Sequence, residues 1–522
     1  MIAANSRPYT SNFTNALVML LSRKNLPQIS ATVPVQLPNP SVFELPERIL
    51  QFGTGVLLRG LCDYFVDKAN QQGVFNGRIV VVKSTGSDTS EFDRQDQLFT
   101  QVIRGLGEDG QPIEEYIVNA SISRTLAAPS QWAEILACAS NPEMQIVTSN
   151  TTEIGIQLDE NENLQATPPR SFPGKLTAFL YARWKAFNGS VESGMVIVPT
   201  ELVPDNGTNL RKIVLELARR GNLEADFIQW LETANSFCNS LVDRIVPGKP
   251  NATDQAEYQQ KLGYEDGLLC VSEVYRLWAI EGDEKVKSVL SFDAVDCDEA
   301  NALGVIIKTD IDRYRELKLR LLNGSHTLTC GLNYLSGKNA VRESMVDPVS
   351  SRYVKELMFE ELAPAIPYPI ELEVARTYGA SLLNRFSNPF LEHKLLSITL
   401  YYTSKMKTRN VPLLLKHYEQ TGTAPERFAL GFAAYVLFMK AVKVEGGKYF
   451  GERNGESYLI PDEPAGWYFD WWSRQGELSE VLGNTDFWGT DLNALPGFGE
   501  RVAFYLSRLQ ESPAAAFEAA LS

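Results

Sequence analysis

Cysteine is sparse in this sequence and carries no metal or disulfide motif. Six residues (Cys62, Cys138, Cys238, Cys270, Cys297 and Cys330) are scattered over 522 positions with no C-x-x-C pair. That spacing excludes a zinc ribbon and a disulfide framework and fits a reducing cytoplasm. Long apolar runs are missing too. The run from Ala16 to Leu21 is too short for a signal-peptide core and is followed by Ser22, Arg23 and Lys24. No later segment approaches the ~18 apolar residues of a membrane span, so no membrane partner is expected. Positive charge is in deficit: 49 basic against 64 acidic residues leave a net −15, which disfavours nucleic acid and anionic membrane surfaces as general partners. An anionic ligand must then be small and held by particular residues. No internal repeat and no low-complexity tract appears.

What is present is the composition of a folded protein with ample core. With 44% hydrophobic and 22% charged residues over this length, two to four domains are predicted. Residues 1–44 are polar, and Pro27, Pro34, Pro38 and Pro40 block regular helix late in that stretch, so an extended arm is expected. From Arg48 to Phe52 the chain reads as a buried strand, then comes Gly53-Thr54-Gly55, then a helical pattern through Leu58, Leu61, Tyr64 and Phe65. Strand, glycine turn and helix open a dinucleotide-binding unit, where glycine lets the backbone turn tightly and approach a pyrophosphate at the helix start.

The third glycine of the usual G-x-G-x-x-G is replaced by Leu58. A second strand, Arg78 to Lys83, arrives at the distance that a βαβ unit requires. Its end carries Lys83-Ser84-Thr85 where an acidic residue would grip the ribose of NAD, which leaves the choice between NAD and NADP open. A hairpin over residues 98–118, a helix near 132–140, and a strand from Gln145 running into Asn150-Thr-Thr-Glu153 follow. Helices over 175–187, 208–220 and 223–240 and a strand over 194–199 continue the α/β alternation. Beyond Asp310 the pattern is mostly helical. The expected fold is therefore an α/β Rossmann-type dinucleotide-binding domain over residues 45–285, followed by a mostly α-helical domain over 286–522, joined near Glu281-Gly-Asp-Glu-Lys285.

The chemistry concentrates in Lys318-Leu-Arg-Leu-Leu-Asn323-Gly-Ser-His326. A lysine of lowered pKa exchanges a proton, an asparagine N–H stabilises an oxyanion, and a histidine positions both, which makes a metal-free acid/base set for a sugar-type oxygen. On an α-helix at ~100° per residue, Asn323 lies about 140° and His326 about 80° around the axis from Lys318. The three share one broad wedge, provided that Lys318 reaches along the axis or the helix bends near Gly324.

Four segments in order, Phe52-Gly-Thr-Gly-Val-Leu-Leu-Arg59, Asn239-Ser-Leu-Val-Asp-Arg-Ile-Val-Pro247, Ser272-Glu-Val-Tyr-Arg-Leu-Trp278 and the Lys318/Asn323/His326 spacing, resemble the mannitol dehydrogenase family of long-chain polyol dehydrogenases. The resemblance covers roughly residues 46–440. It implies a cleft between a Rossmann-type half and a helical half, and hydride transfer with NAD and no metal. Lys318 resembles the family's acid/base, Asn323 its oxyanion donor, His326 its positioning histidine and Asp243 an active-site carboxylate.

Phe52, Gly53, Thr54, Gly55, Val56, Leu57, Lys83 and Asn150 are the expected coenzyme contacts. Arg59-Gly60, the stretch from Pro199 to Gly207, Lys407-Thr-Arg-Asn-Val-Pro-Leu-Leu414 and the segment beginning at Pro425 resemble the family's hexuronate-reducing members. A hexuronate is accordingly the expected small-molecule substrate, with Arg385 or Arg409 binding its carboxylate. Asn388 and His393 are further expected substrate contacts. Leu202 stands where the mannitol enzymes carry an alkoxide-binding asparagine, so either Asn206 substitutes or Asn323 acts with fewer partners. Mannitol or fructuronate as substrate, and a coenzyme-binding regulator without turnover, are the alternatives. Oligomeric state is left open.

Overall fold

Strand Glu47–Phe52 is the axis of the first half of the chain. The computed structural model describes residues 19–107, 110–151, 155–293, 295–299 and 302–522. Residues 1–18 of the expected arm, and Thr152 and Glu153 of the loop expected at the nicotinamide, lie outside the described residues. Around Glu47–Phe52 a six-stranded parallel sheet runs in the order Ile122–Ala127, Arg78–Lys83, Glu47–Phe52, Ile146–Ser149, Val196–Pro199, Ser236–Phe237. Numbered along the chain this is 3-2-1-4-5-6, the order of a dinucleotide-binding sheet.

The strands read as near-continuous apolar runs because both of their faces are covered. Ile49, Ile79 and Val81 pack into one core with Phe65 and Trp278. Leu50, Phe52, Val80, Val82 and Val147 point the other way, into a second core with Phe172 and Leu176. This period-2 division fixes the register, since a one-residue slip would exchange the two cores.

The helix expected over residues 223–240 ends earlier, at Thr233. Asn235 is the reason: its amide donates to the Trp230 carbonyl (3.1 Å) and accepts from the Met195 amide (2.9 Å). The side chain thereby caps the helix and hands the chain to strand Ser236–Phe237. Strand Ser240–Asp243 then starts a second sheet, antiparallel to Leu277–Glu281, which pairs in parallel with Gly304–Lys308. A third sheet joins Cys270–Glu273 to the hairpin Phe99–Leu106 and Pro112–Asn119.

From Asp312 onward helices dominate. Gly324–Leu335 and Glu426–Phe438 approach closely because Gly431 has no side chain; a Cβ there would lie 2.8 Å from the Leu328 carbonyl oxygen. The helices are interrupted by a small antiparallel sheet, Lys443–Glu445, Lys448–Arg453 and Glu456–Leu459. Among the described residues no helix is long and apolar enough to cross a membrane.

Candidate active site

The sheet order places a crevice beside Phe52 and Ser149, which are register partners on the first and fourth strands. There the chain crosses from one side of the sheet to the other, and such a crevice outside the strand ends is where dinucleotides bind. Gly53 has φ +130°, and a Cβ on it would meet the Asn150 carbonyl oxygen at 2.8 Å and Leu58 at 2.9 Å. Glycine is obligatory there on both counts. Gly55 is different: it is exposed, and a Cβ would meet nothing within 4 Å. It is also the N-cap of the helix Val56–Gly60 and offers no side chain to cap it. No side chain at the N-cap takes up the first helical amides, as a pyrophosphate requires. The residues present fit a dinucleotide.

Leu58, at the third glycine position, is fully buried and closes the turn with a methyl group against Gly53. The Phe52 ring packs on Phe172 (centroids 5.1 Å), so only the Phe52 backbone faces the crevice. Gly53→Ala is expected to cost about 1–3 kcal/mol in stability through the strained φ. A fall in melting temperature together with weakened NADH fluorescence titration would register it.

Lys318 and Asn323 sit where the sequence wedge is redrawn. Asp312–Leu317 is α-helical, Lys318–Asn323 is a π turn, and Gly324–Leu335 resumes the α-helix. In a π turn the hydrogen bonds run i→i+5, so residues five apart stack on one face. Lys318 and Asn323 are five apart, and the π turn brings them much nearer to one face than the ~140° offset that a regular α-helix would impose. The helix runs on through Gly324, whose φ −65° and ψ −47° are α-helical.

The Lys318 ammonium donates to the Val242 carbonyl (2.8 Å) and lies 4.0 Å from an Asp243 oxygen. Asp243 pairs with both terminal nitrogens of Arg385 (2.9 and 3.1 Å), and Arg385 continues to Glu273 (2.8 and 3.0 Å). Burial pushes the Lys318 pKa below the ordinary lysine range, and Arg385 and Arg409 push the same way against Asp243 and Glu273. Burial would raise Asp243, but Arg385 and Lys318 outweigh it and hold the carboxyl below its usual range. Glu273, under the same pull from burial, ends above its usual range.

His326 packs at a tilt on Phe386 (4.2 Å) and meets His393 edge-on (5.2 Å), over a cavity of ≈ 20 Å³, room for about one water. Burial, then His393, Arg385 and Arg409, hold its imidazole well below the ordinary value, so it is neutral at neutral pH. Arg409 donates to the Thr327 hydroxyl (3.1 Å). It is half-buried, and no carboxylate among the described residues lies within 4.0 Å of it. Asn323 is half-buried beside them.

The remaining expected site residues are placed differently. Asn206 is a correction: its amide nitrogen donates to the carbonyls of Pro199, Glu201 and Ser240 (3.0 to 3.2 Å), its oxygen accepts from the Gly207 and Ser240 amides, and it is 1% exposed. Its polar capacity is used up joining the fifth strand to the second sheet, so it does not stand in for the asparagine missing at Leu202, which is itself exposed. Arg385 is held by two carboxylates and is not open to a third. Asn388 is buried, bonded to the Arg104 carbonyl (3.4 Å) at the floor of a groove of ≈ 890 Å³ beyond Arg385. Lys83 donates to the Asp88 carbonyl (2.6 Å). Asn150 reaches across to the Thr200 carbonyl and hydroxyl (3.0 and 3.1 Å), fixing the crevice wall.

Two residues escape the sequence reading. Glu201 accepts from the Ser149 hydroxyl and from the Thr151 amide and hydroxyl, and so holds the loop after the fourth strand. Glu273 closes the Arg385 cluster. The signal for Glu273 was a lone carboxylate ending the apolar strand Cys270–Glu273.

Comparison with known proteins follows the same division. Residues 47–326 match the family model for the mannitol dehydrogenase Rossmann domain and residues 310–510 that for the mannitol dehydrogenase C-terminal domain. The chain is 39% identical to altronate oxidoreductase of Bacillus subtilis strain 168 over 477 residues, covering 90% of this chain and 94% of that one. It is 37% identical to altronate oxidoreductase of Escherichia coli O6:K15:H31 over 481 residues, with 90% and 95% covered. Among solved structures, the Pseudomonas fluorescens mannitol 2-dehydrogenase ternary complex with NAD and D-mannitol aligns with a TM-score of 0.68 at 26% identity, covering 96% of this chain and 99% of that one. A substrate-free D-sorbitol dehydrogenase shares the fold, with a TM-score of 0.74 at 21% identity, over 95% and 100%.

Proposed function

The chain belongs to the mannitol dehydrogenase family, and on that premise we propose that it reduces the open-chain hexuronate D-tagaturonate to D-altronate, reversibly, in hexuronate catabolism. The coenzyme is NAD. When bound, NADH supplies the hydride for the keto carbon. The chain's own residues do the rest. Lys318, as an ammonium held by the Val242 carbonyl and Asp243, gives its proton to the oxygen that becomes the alcohol. Asn323, brought onto the same face by the π turn, donates to that oxygen while its charge develops. His326, neutral and wedged against Phe386, fixes the substrate side of the pocket. In oxidation a neutral Lys318 takes the hydroxyl proton, which its lowered pKa favours.

One observation carries the choice of a charged substrate. The cluster holds three cations, Lys318, Arg385 and Arg409, against two carboxylates, Asp243 and Glu273. Arg385 is paired with both carboxylates, which leaves Arg409 as the partner for a substrate carboxylate, and a guanidinium suits that group bidentately. A neutral polyol would leave the set one anion short.

Initial rates with NADH and NADPH on tagaturonate, fructuronate and fructose test the reading. Tagaturonate with NADH is expected to give the highest kcat/KM. Fructose reduced as efficiently as the uronate would overturn it, and a clear preference for NADPH would overturn the coenzyme assignment.

A further inference from the structure

Glu273 takes no part in the proton transfer just described, yet it is 1% exposed and ionisable, and burying a carboxylate is costly unless it is well paired. Its contacts are unusually many. Oε1 accepts from the Ile245 amide (2.7 Å) and from Arg385 Nη2 (2.8 Å), and Oε2 accepts from Arg385 Nε (3.0 Å). Its backbone amide donates to the Ile245 carbonyl (3.0 Å), and its carbonyl accepts from Arg244 Nε and Nη2 (3.0 and 2.9 Å). The segment it grips, Arg244 and Ile245, directly follows both partners of Lys318: the Val242 carbonyl and the Asp243 carboxylate.

We propose that Glu273 is the positioning residue of the acid/base site. By taking one edge of the Arg385 guanidinium and the Ile245 amide, it keeps Asp243 and the Val242 carbonyl at Lys318 and balances the second cation of the buried cluster. Without its charge, Asp243 is the sole counterion of Arg385 and is drawn from Lys318. The groups that face Lys318 are Asp243 on the strand Ser240–Asp243, Glu273 on Cys270–Glu273, Arg385 on Leu372–Phe386 and Arg409 on the π turn Met406–Asn410. Removing one of the two anions lowers the pH at which Lys318 loses its proton. Both effects, the lost charge and the diverted Asp243, have that sign.

The inference rests on Lys318 as the acid/base, and the experiment separates the two. The rate of alcohol oxidation against pH is measured for wild type, Glu273→Gln, Glu273→Asp and Lys318→Ala, with NADH fluorescence titration reporting folded enzyme. The rising limb of Glu273→Gln is expected about one pH unit below wild type. Glu273→Asp, which keeps the charge, is expected to hold the limb in place even where kcat falls. A limb at the wild-type pH in Glu273→Gln overturns the positioning role, as does a limb that moves equally in Glu273→Asp. A limb that persists in Lys318→Ala overturns the acid/base assignment instead. If Glu273→Gln does not fold, Glu273→Ala, which also lacks the charge, takes its place with the same expected and overturning results, and a displaced limb in Glu273→Asp still contradicts the charge argument.

Discussion

Lys318→Ala is expected to lower kcat about 10²- to 10⁴-fold in either direction while NADH binds almost as before. The magnitude follows from losing a positioned proton donor. The selectivity follows from the architecture: the coenzyme turn is at Gly53–Gly55 on the parallel sheet, and Lys318 projects from a helix beyond the second sheet. Stability should change little, because Asp243 keeps its two bonds to Arg385 when the ammonium is gone. Lys318→Arg is expected not to rescue, since a guanidinium keeps its proton at working pH.

The pH dependence has a definite sign. Burial, Arg385 and Arg409 lower the lysine pKa, so oxidation, which needs the neutral amine, should rise as pH climbs through that value, and reduction should fall. Near-wild-type turnover by Lys318→Ala would sink the mechanism.

Much of this architecture was legible because its causes are local. The doubly buried strands Arg78–Lys83 and Val196–Pro199 are β-branched runs, and Gly53-Thr54-Gly55 marks the turn whatever surrounds it. The hairpins at Gly446-Gly447 and Asn454-Gly455 were equally local: all four residues have positive φ, as two-residue hairpin turns require. They interrupt the stretch beyond Asp310 that the pattern makes mostly helical. Other features were decided at a distance. Strand Ile122–Ala127 reads as strand only once Arg78–Lys83 is there to pair with it.

The π turn was legible in neither propensity nor periodicity. Lys318 to Asn323 is a good α-helical string, and the extra residue in the turn is set by the surroundings. Arg320, for example, bonds the Thr408 and Arg409 carbonyls of a second π turn (2.7 and 2.9 Å). Asn206 misled for a related reason. An asparagine near an expected alkoxide site is a donor on paper, but its donors were already claimed by three carbonyls from separate strands and loops.

Arg409→Met is expected to raise KM for the uronate and lower kcat/KM by roughly 30- to several-thousand-fold, the ~2–5 kcal/mol cost of truncating one partner of a buried hydrogen-bonded charge pair. Its counterpart Arg385→Met should behave in the opposite manner. It leaves Glu273 without a cation and Asp243 with only Lys318 at 4.0 Å, so a stability loss of about 3–5 kcal/mol is expected, visible in thermal melting before any kinetics are done. The Arg409 guanidinium donates to the Thr327 hydroxyl and has no carboxylate partner among the described residues. Its burial lowers its own pKa, and Cys330 offsets that only in part, so removing the charge should leave the melting temperature unchanged or raise it. The pair therefore separates a cation that holds the site from one that awaits the substrate. Residual turnover of a neutral ketose should be nearly the same in Arg409→Met as in wild type, since no carboxylate is there to miss the guanidinium. An unchanged KM for tagaturonate in Arg409→Met would remove the charge-balance argument and, with it, the preference for a uronate over a polyol.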